Sequence, residues 1–253
     1  MNKKIKKIIS RLLVILIFIL LLGIIIIRNE DKQANKKIKE FVERASLVYT
    51  SSDTEYYKIS KEYEYEDINT RIIENYDSNN IGTTGDIYLT STDWGSSFFT
   101  KYICEKLRVG HCGIVYDEHA NSLYEIVGNN GKNNVVKLYD NDWYDLNNFN
   151  EMIVLRVKDI DSEDRDEIKA YLDKIAGSKY NFFFIFHMKN RFYCTDLATE
   201  TYKRCFKTNI NKFFISTGSS MIKDDNTYLI YYKREVNKDN IKYEVYYLGD
   251  WYD

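Results

Sequence analysis

The longest apolar run in the chain is unbroken from Leu12 to Ile27, LLVILIFILLLGIIII. Extended back through Ile8 and Ile9, with Arg11 able to snorkel, it reaches about 20 residues, enough to cross about 30 Å of hydrocarbon as a helix. Lys3, Lys4, Lys6, Lys7 and Arg11 precede the run, and Asn29, Glu30 and Asp31 follow it closely. Basic residues stay on the cytoplasmic side, so the pattern predicts an N-terminus inside and the chain from about residue 29 outside. A cleaved signal peptide would end in small residues, whereas this run ends in Ile24–Ile27 and then Arg28. Residues 1–28 thus read as a basic tail and retained signal anchor, holding a single-pass protein in the plasma membrane with its remainder extracytoplasmic.

Beyond the anchor the periodicity changes. Ile38, Phe41, Val42 and Ala45 recur at i, i+3, i+4 and i+7, one face of a helix within 33–48. Residues 50–80 are rich in Tyr, Glu, Ser and Asn without a clear period, so 29–81 is expected to be a stalk and connector. A denser domain is expected over 82–253. Short β-type runs occur at Asp86–Thr90, Cys112–Tyr116, Leu123–Val127, Val135–Tyr139 and Ile153–Val157. A helix follows, capped by Asp161 or Ser162 and ending before Gly177, with Ile168, Tyr171, Leu172 and Ile175 on its apolar face. A second helix is predicted from about Cys194 to Cys205, and two aromatic strands, Tyr228–Lys233 and Tyr243–Leu248, close the chain. This order predicts an α+β domain with a mainly antiparallel sheet packed on helices.

Composition changes the picture little. The 253 residues are 44% hydrophobic and 29% charged, enough to bury one core beside the appendages. Charge is more informative: setting aside the five basic residues of the tail turns the formal net charge of −2 into −7 for residues 12–253. No clustered basic face is evident, which argues against nucleic acid as a partner. Cys104, Cys112, Cys194 and Cys205 form no C-x-x-C and no zinc-like pairing with His. An outside location permits disulfides without requiring them.

Candidate chemistry centres on Cys194, in Phe192-Tyr193-Cys194-Thr195-Asp196-Leu197-Ala198. It falls where a helix should start, and the unpaired N–H groups and dipole there favour a thiolate. The same amides can receive an oxyanion. The plainer alternative is a small buried hydrophobe. Of three histidines, His119 falls in the polar turn Asp117-Glu118-His119-Ala120-Asn121, and His187 lies in an aromatic stretch. His111 opens a strand, with His111, Gly113 and Val115 alternating onto one face. If Tyr116 pairs with Ser122 across the turn, Gly113 lies opposite Glu125 and His111 is diagonal to it. Glu125 would then accept an Nδ1–H bond and fix the ring, the orienting role in a triad; a one-residue slip would break this geometry.

Taken in order, Gly85-Asp86-Ile87, His111-x-Gly113-Ile114-Val115, Tyr124-Glu125, Gly177-Ser178-Lys179-Tyr180 and Phe192-Tyr193-Cys194-Thr195-Asp196-Leu197 resemble the circularly permuted papain-like hydrolases, the YiiX-like branch of the NlpC-type superfamily. The resemblance covers roughly residues 82–220. It implies a permuted papain-like fold in which Cys194 is the nucleophile, His111 the base and Glu125 the third, polar residue. It further implies that Tyr180 lines the substrate pocket, with Tyr193 beside it, and that Gly85-Asp86 is structural. The family's usual Cys-Ser-Glu-Leu stands here as Cys194-Thr195-Asp196-Leu197. The implied chemistry is cysteine peptidase or amidase action on cell-wall peptides or lipid-linked substrates, with no metal or cofactor required. Two other readings remain: a lipid-directed thioesterase or acyltransferase like the lecithin–retinol type, and a non-catalytic binding module with a Tyr-rich surface.

Overall fold

In the computed structural model, which describes residues 3–60, 80–92, 98–128, 134–143, 149–184, 188–238 and 240–249, a long helix α1 (Lys3–Glu43) leads into paired strands β1 (Ser46–Thr50) and β2 (Thr54–Ile59). There follow β3 (Ile87–Thr90), α2 (Phe98–Leu107), β4 (His111–Val115), β5 (Ser122–Glu125), β6 (Lys137–Asp140) and β7 (Glu151–Val157). The chain then forms α3 (Ser162–Ile175), β8 (Lys179–Tyr180), β9 (Arg191–Phe192), α4 (Cys194–Phe206), α5 (Gly218–Lys223), β10 (Thr227–Lys238) and β11 (Ile241–Leu248). The fold is α+β. Its nine-stranded sheet has the order β1-β2-β11-β10-β7-β3-β4-β5-β6, antiparallel except where β2 pairs with β11.

Helix α1 carries one stretch long and apolar enough to cross a membrane, and none of its most apolar window is buried against the rest of the protein. The helix does not stop where that stretch ends. Ala34, Ile38 and Phe41 are buried against the domain, with Val42 and Ala45 packed beside them, so the expected apolar face is present.

The stretch expected to be connector departs from expectation. Thr54–Ile59 joins the sheet, with Thr54 opposite Tyr243 and Ile59 opposite Leu248. Its sequence, TEYYKI, shows no clean alternation because tyrosine can bury its ring while its hydroxyl keeps a polar partner. Tyr57 does so, stacking on Tyr246 at 4.7 Å while donating to Glu55 at 2.7 Å. The remainder of that connector, 61–79, lies outside the described residues.

One local cap and one long-range ion pair hold α3 and the sheet centre in place. Asp161 caps α3 in a reciprocal capping box with Asp164. Asp86, immediately before β3, takes two hydrogen bonds from Arg156 on β7, at 2.9 and 2.7 Å, and one from the Thr83 N–H at 2.8 Å. Both charged side chains are 1% exposed, so this pair is a buried tie between neighbouring strands.

Candidate active site

The β4–β5 hairpin sets the geometry. Tyr116 N–H donates to Ser122 O at 2.9 Å, and Gly113 pairs with Glu125, Ile114 with Tyr124 and Val115 with Leu123. Asp117 pins this register by accepting the N–H groups of His119, Asn121 and Ser122 at 3.0, 3.1 and 2.7 Å. Burial works against the Asp117 carboxylate, but the Ser122 hydroxyl and these N–H groups outweigh it and hold the group below its usual range. A register fixed in this way keeps His111 diagonal to Glu125 on one face. A Cβ on Gly113 would lie 3.1 Å from Glu125 Cγ and 3.2 Å from Oε1, so the glycine leaves the carboxylate its place.

His111 meets Glu125 through Nε2, 2.6 Å from Oε2, rather than through the expected Nδ1. The reason is reach: a diagonal partner on the next strand meets the far nitrogen of the ring. Cys194 is brought to the same ring by α4, which packs on β4. Cys194 and His111 lie within hydrogen-bonding reach. Burial disfavours the imidazolium, yet the hydrogen bonds to Cys194 and Glu125 and the charges of both outweigh it, and His111 is pushed up to about 10.

Cys194 is the first residue of α4 and only 7% exposed. Tyr193, the N-cap residue, makes no side-chain capping bond, so its side chain does not consume the amides of the first turn. Instead the Tyr193 hydroxyl accepts the Ser216 N–H at 2.7 Å and its ring edge meets Phe184 at 5.4 Å. Burial pushes that hydroxyl up to about 12. Tyr193, expected as a substrate contact, is 4% exposed and anchors the turn beneath α4. Tyr180 packs so closely on Gly128 that a Cβ there would lie 2.5 Å from its Cζ. Burial raises the Tyr180 hydroxyl well above its ordinary value, and the charge of Cys194 adds to the effect. The Tyr180 ring leads outward to Phe182 at 4.8 Å and Phe184 at 6.2 Å.

Trp143 is the residue that pattern reading misses. It is 1% exposed, its Nε1–H donates to Glu125 Oε1 at 2.6 Å, and its ring stacks on His111 at 5.5 Å with 14° between planes. Glu125 therefore has each oxygen committed, one to the indole and one to the imidazole. Trp143→Phe keeps the stacking and removes the donor, leaving a buried carboxylate oxygen unmatched. We expect kcat to fall about 10-fold with KM unchanged, a loss of about 1.4 kcal/mol of transition-state stabilisation. The alkaline limb of the pH profile should also move up, because a carboxylate without its indole donor favours the imidazolium more strongly; a loss of melting temperature with an unmoved limb would reduce Trp143 to packing.

The other candidates separate cleanly. His119 is exposed in its turn, and His187 lies outside the described residues. No disulfide joins any of the four cysteines. Cys112 is buried on the opposite face of β4, and burial, reinforced by Cys194 and Glu125, raises it well above the usual thiol value. Among the described residues no group of three or more His, Cys, Asp or Glu is placed to hold a metal ion.

No protein-family model matches this chain, and no curated protein matches it. Among solved structures it is similar to the metalloprotein YiiX from Escherichia coli O157:H7, at 16% identity and a TM-score of 0.45. That similarity covers 62% of this chain and 97% of the other.

Proposed function

We propose that this protein is a membrane-anchored cysteine hydrolase of the permuted papain-like type, cleaving amide bonds outside the plasma membrane, with cell-wall peptides, polymerised or still lipid-linked, as its substrate class. The observation that carries the reading is the continuous line Cys194–His111–Glu125, closed by Trp143. Cys194 thiolate attacks the amide carbon, and the amides at the start of α4 receive the developing oxyanion. His111 imidazolium then gives its proton to the leaving nitrogen, the C–N bond breaks, and an acyl-thioester remains on Cys194. Water attacks the thioester as His111 takes its proton, releasing a carboxylic acid and restoring the thiolate–imidazolium pair.

The working form has His111 protonated, so its raised value keeps the site active through neutral pH and activity is lost as pH rises through about 10. Glu125→Gln removes one of the interactions raising His111. The alkaline limb should then fall by roughly one unit or more, as a lost carboxylate partner dictates. A pH–rate profile checks this, and an unshifted limb would show that Glu125 does not act on His111.

One observation favours a second reading, transfer or hydrolysis on lipid. Phe182, Phe183 and Phe184 are consecutive and 55%, 66% and 49% exposed beside Tyr180, an apolar surface suited to an acyl chain. Mass spectrometry of cell-wall digests and lipid extracts exposed to wild type and Cys194→Ala separates the two. New peptide fragments in either sample support the first, and new acyl species in the lipid sample without peptide fragments replace it with the second. Unchanged samples of both kinds would overturn the hydrolase reading.

A further inference from the structure

We infer that α1 and the domain form one rigid strut that holds Cys194 and His111 close to the bilayer, so that the substrate is a cell-wall peptide still linked to a lipid of the same membrane. The inference rests on the hydrolase reading and selects among its substrate classes. The apolar run ends at Ile27, and Glu30 is already 5% exposed against the domain. Three residues of helix rise only about 4.5 Å, so no length of free chain separates membrane from domain.

Two short routes tie the reactive pair to the turns of α1 just beyond the apolar run. On the first, Asp31 pairs with Lys106 at 3.1 Å and with Arg108 at 3.5 Å, and Asn35 Oδ1 accepts from Arg108 at 2.7 Å. Arg108 is 4% exposed, and a Cβ on Gly218 would lie 2.3 Å from its carbonyl oxygen, so the segment has no room to shift. His111 follows three residues later, at most about 10 Å of extended chain. The second route begins at Glu30, whose carboxylate meets Lys223 at the end of α5 at 2.5 Å. At the other end of α5, Ser216 binds the first turns of α4: its N–H donates to Tyr193, its carbonyl accepts from Thr195, and its hydroxyl contacts Asp196 and Thr199. Six residues of α5 span about 9 Å.

His111 and Cys194 are therefore braced independently, and these rises and spans, even if laid straight along the membrane normal, would keep them within about 20–30 Å of the hydrocarbon edge. A domain meant to range through a distant wall polymer would need a polar, unpacked tether. Here the tether is helix, and Glu30, Asp31 and Asn35 are spent on the domain. The exposed Phe182–Phe184 supplies apolar surface for the lipid part of the substrate.

The test is a membrane ruler. The full chain, carrying Cys104→Ser and Cys205→Ser, is placed in phosphatidylcholine vesicles doped with a phosphatidylethanolamine bearing a headgroup maleimide on a short spacer. A second version carries seven helix-forming residues inserted after Arg28, raising the domain by about 10 Å with little rotation. The lipid maleimide should modify Cys194 at least 10-fold faster in the first version, while soluble N-ethylmaleimide modifies both alike. Equal rates with the lipid reagent, or labelling by the soluble reagent alone, would overturn the inference and leave the hydrolase reading intact. Failure of the soluble reagent to modify Cys194 in either version would overturn that reading, and the inference with it.

Discussion

Replacing Cys194 with Ala is expected to reduce turnover by roughly 10⁴-fold or more, the scale on which loss of the nucleophile acts in hydrolytic triads. His111, Glu125 and Trp143 gain nothing without a thiolate to pair with, so the loss should not deepen much when His111→Asn is added. That non-additivity separates a working unit from independent contributors. The fold should survive, because the side chain lost is small and its helix is held elsewhere: Leu197 and Ala198 are fully buried and Thr195 bonds Ser216 O at 2.7 Å. Initial rates on the product found by mass spectrometry, with melting curves alongside, make the comparison. A Cys194→Ala protein that retains turnover would remove Cys194 from the chemistry.

Asp86→Ala should produce the largest loss of stability, about 3–5 kcal/mol, because it strands the Arg156 guanidinium in the sheet. Both partners are 1% exposed, and the two parallel hydrogen bonds of 2.9 and 2.7 Å leave no solvent to take over. The same carboxylate also closes the Thr83 turn. Replacing both partners with apolar residues of similar size should recover much of the loss, since a buried guanidinium deprived of its carboxylate causes most of it. Urea unfolding of the full chain in detergent checks both variants. A cost below about 1 kcal/mol for Asp86→Ala, the range of exposed pairs, would mean that water reaches Arg156.

The features legible in the sequence are those written over short distances. The α3 cap needs only Asp161 and Asp164, and the β4–β5 register, assumed in the sequence from a Tyr116–Ser122 pairing, is the one found. His111 and Glu125 were visible as a pair because one hairpin carries both. What escaped depends on long-range partners. Trp143 sits in irregular chain beyond β6, and nothing nearby signals that its indole serves a carboxylate 18 residues earlier. β2 pairs with β11 across nearly the whole domain, and its tyrosines blur the alternation that marks a half-buried strand. The ring orientation of His111 differs from expectation because the diagonal Glu125 carboxylate meets the far nitrogen, a matter of side-chain reach that alternation along β4 does not express. α5 has only six residues, too few to show a helical period.

The central claim is that His111 makes Cys194 the reactive thiol of this chain, and one measurement addresses it without any substrate. The full-length protein and its His111→Asn variant are treated with limiting iodoacetamide near neutral pH, and modification of each cysteine is followed by peptide mass spectrometry. Cys104 and Cys205, both more accessible than Cys194, serve as internal references. The account predicts that Cys194 reacts fastest in the wild-type protein and slows by at least 10-fold in His111→Asn, with Cys104 and Cys205 unchanged. A Cys194 that reacts no faster than its more exposed neighbours, and at the same rate with or without His111, would contradict it.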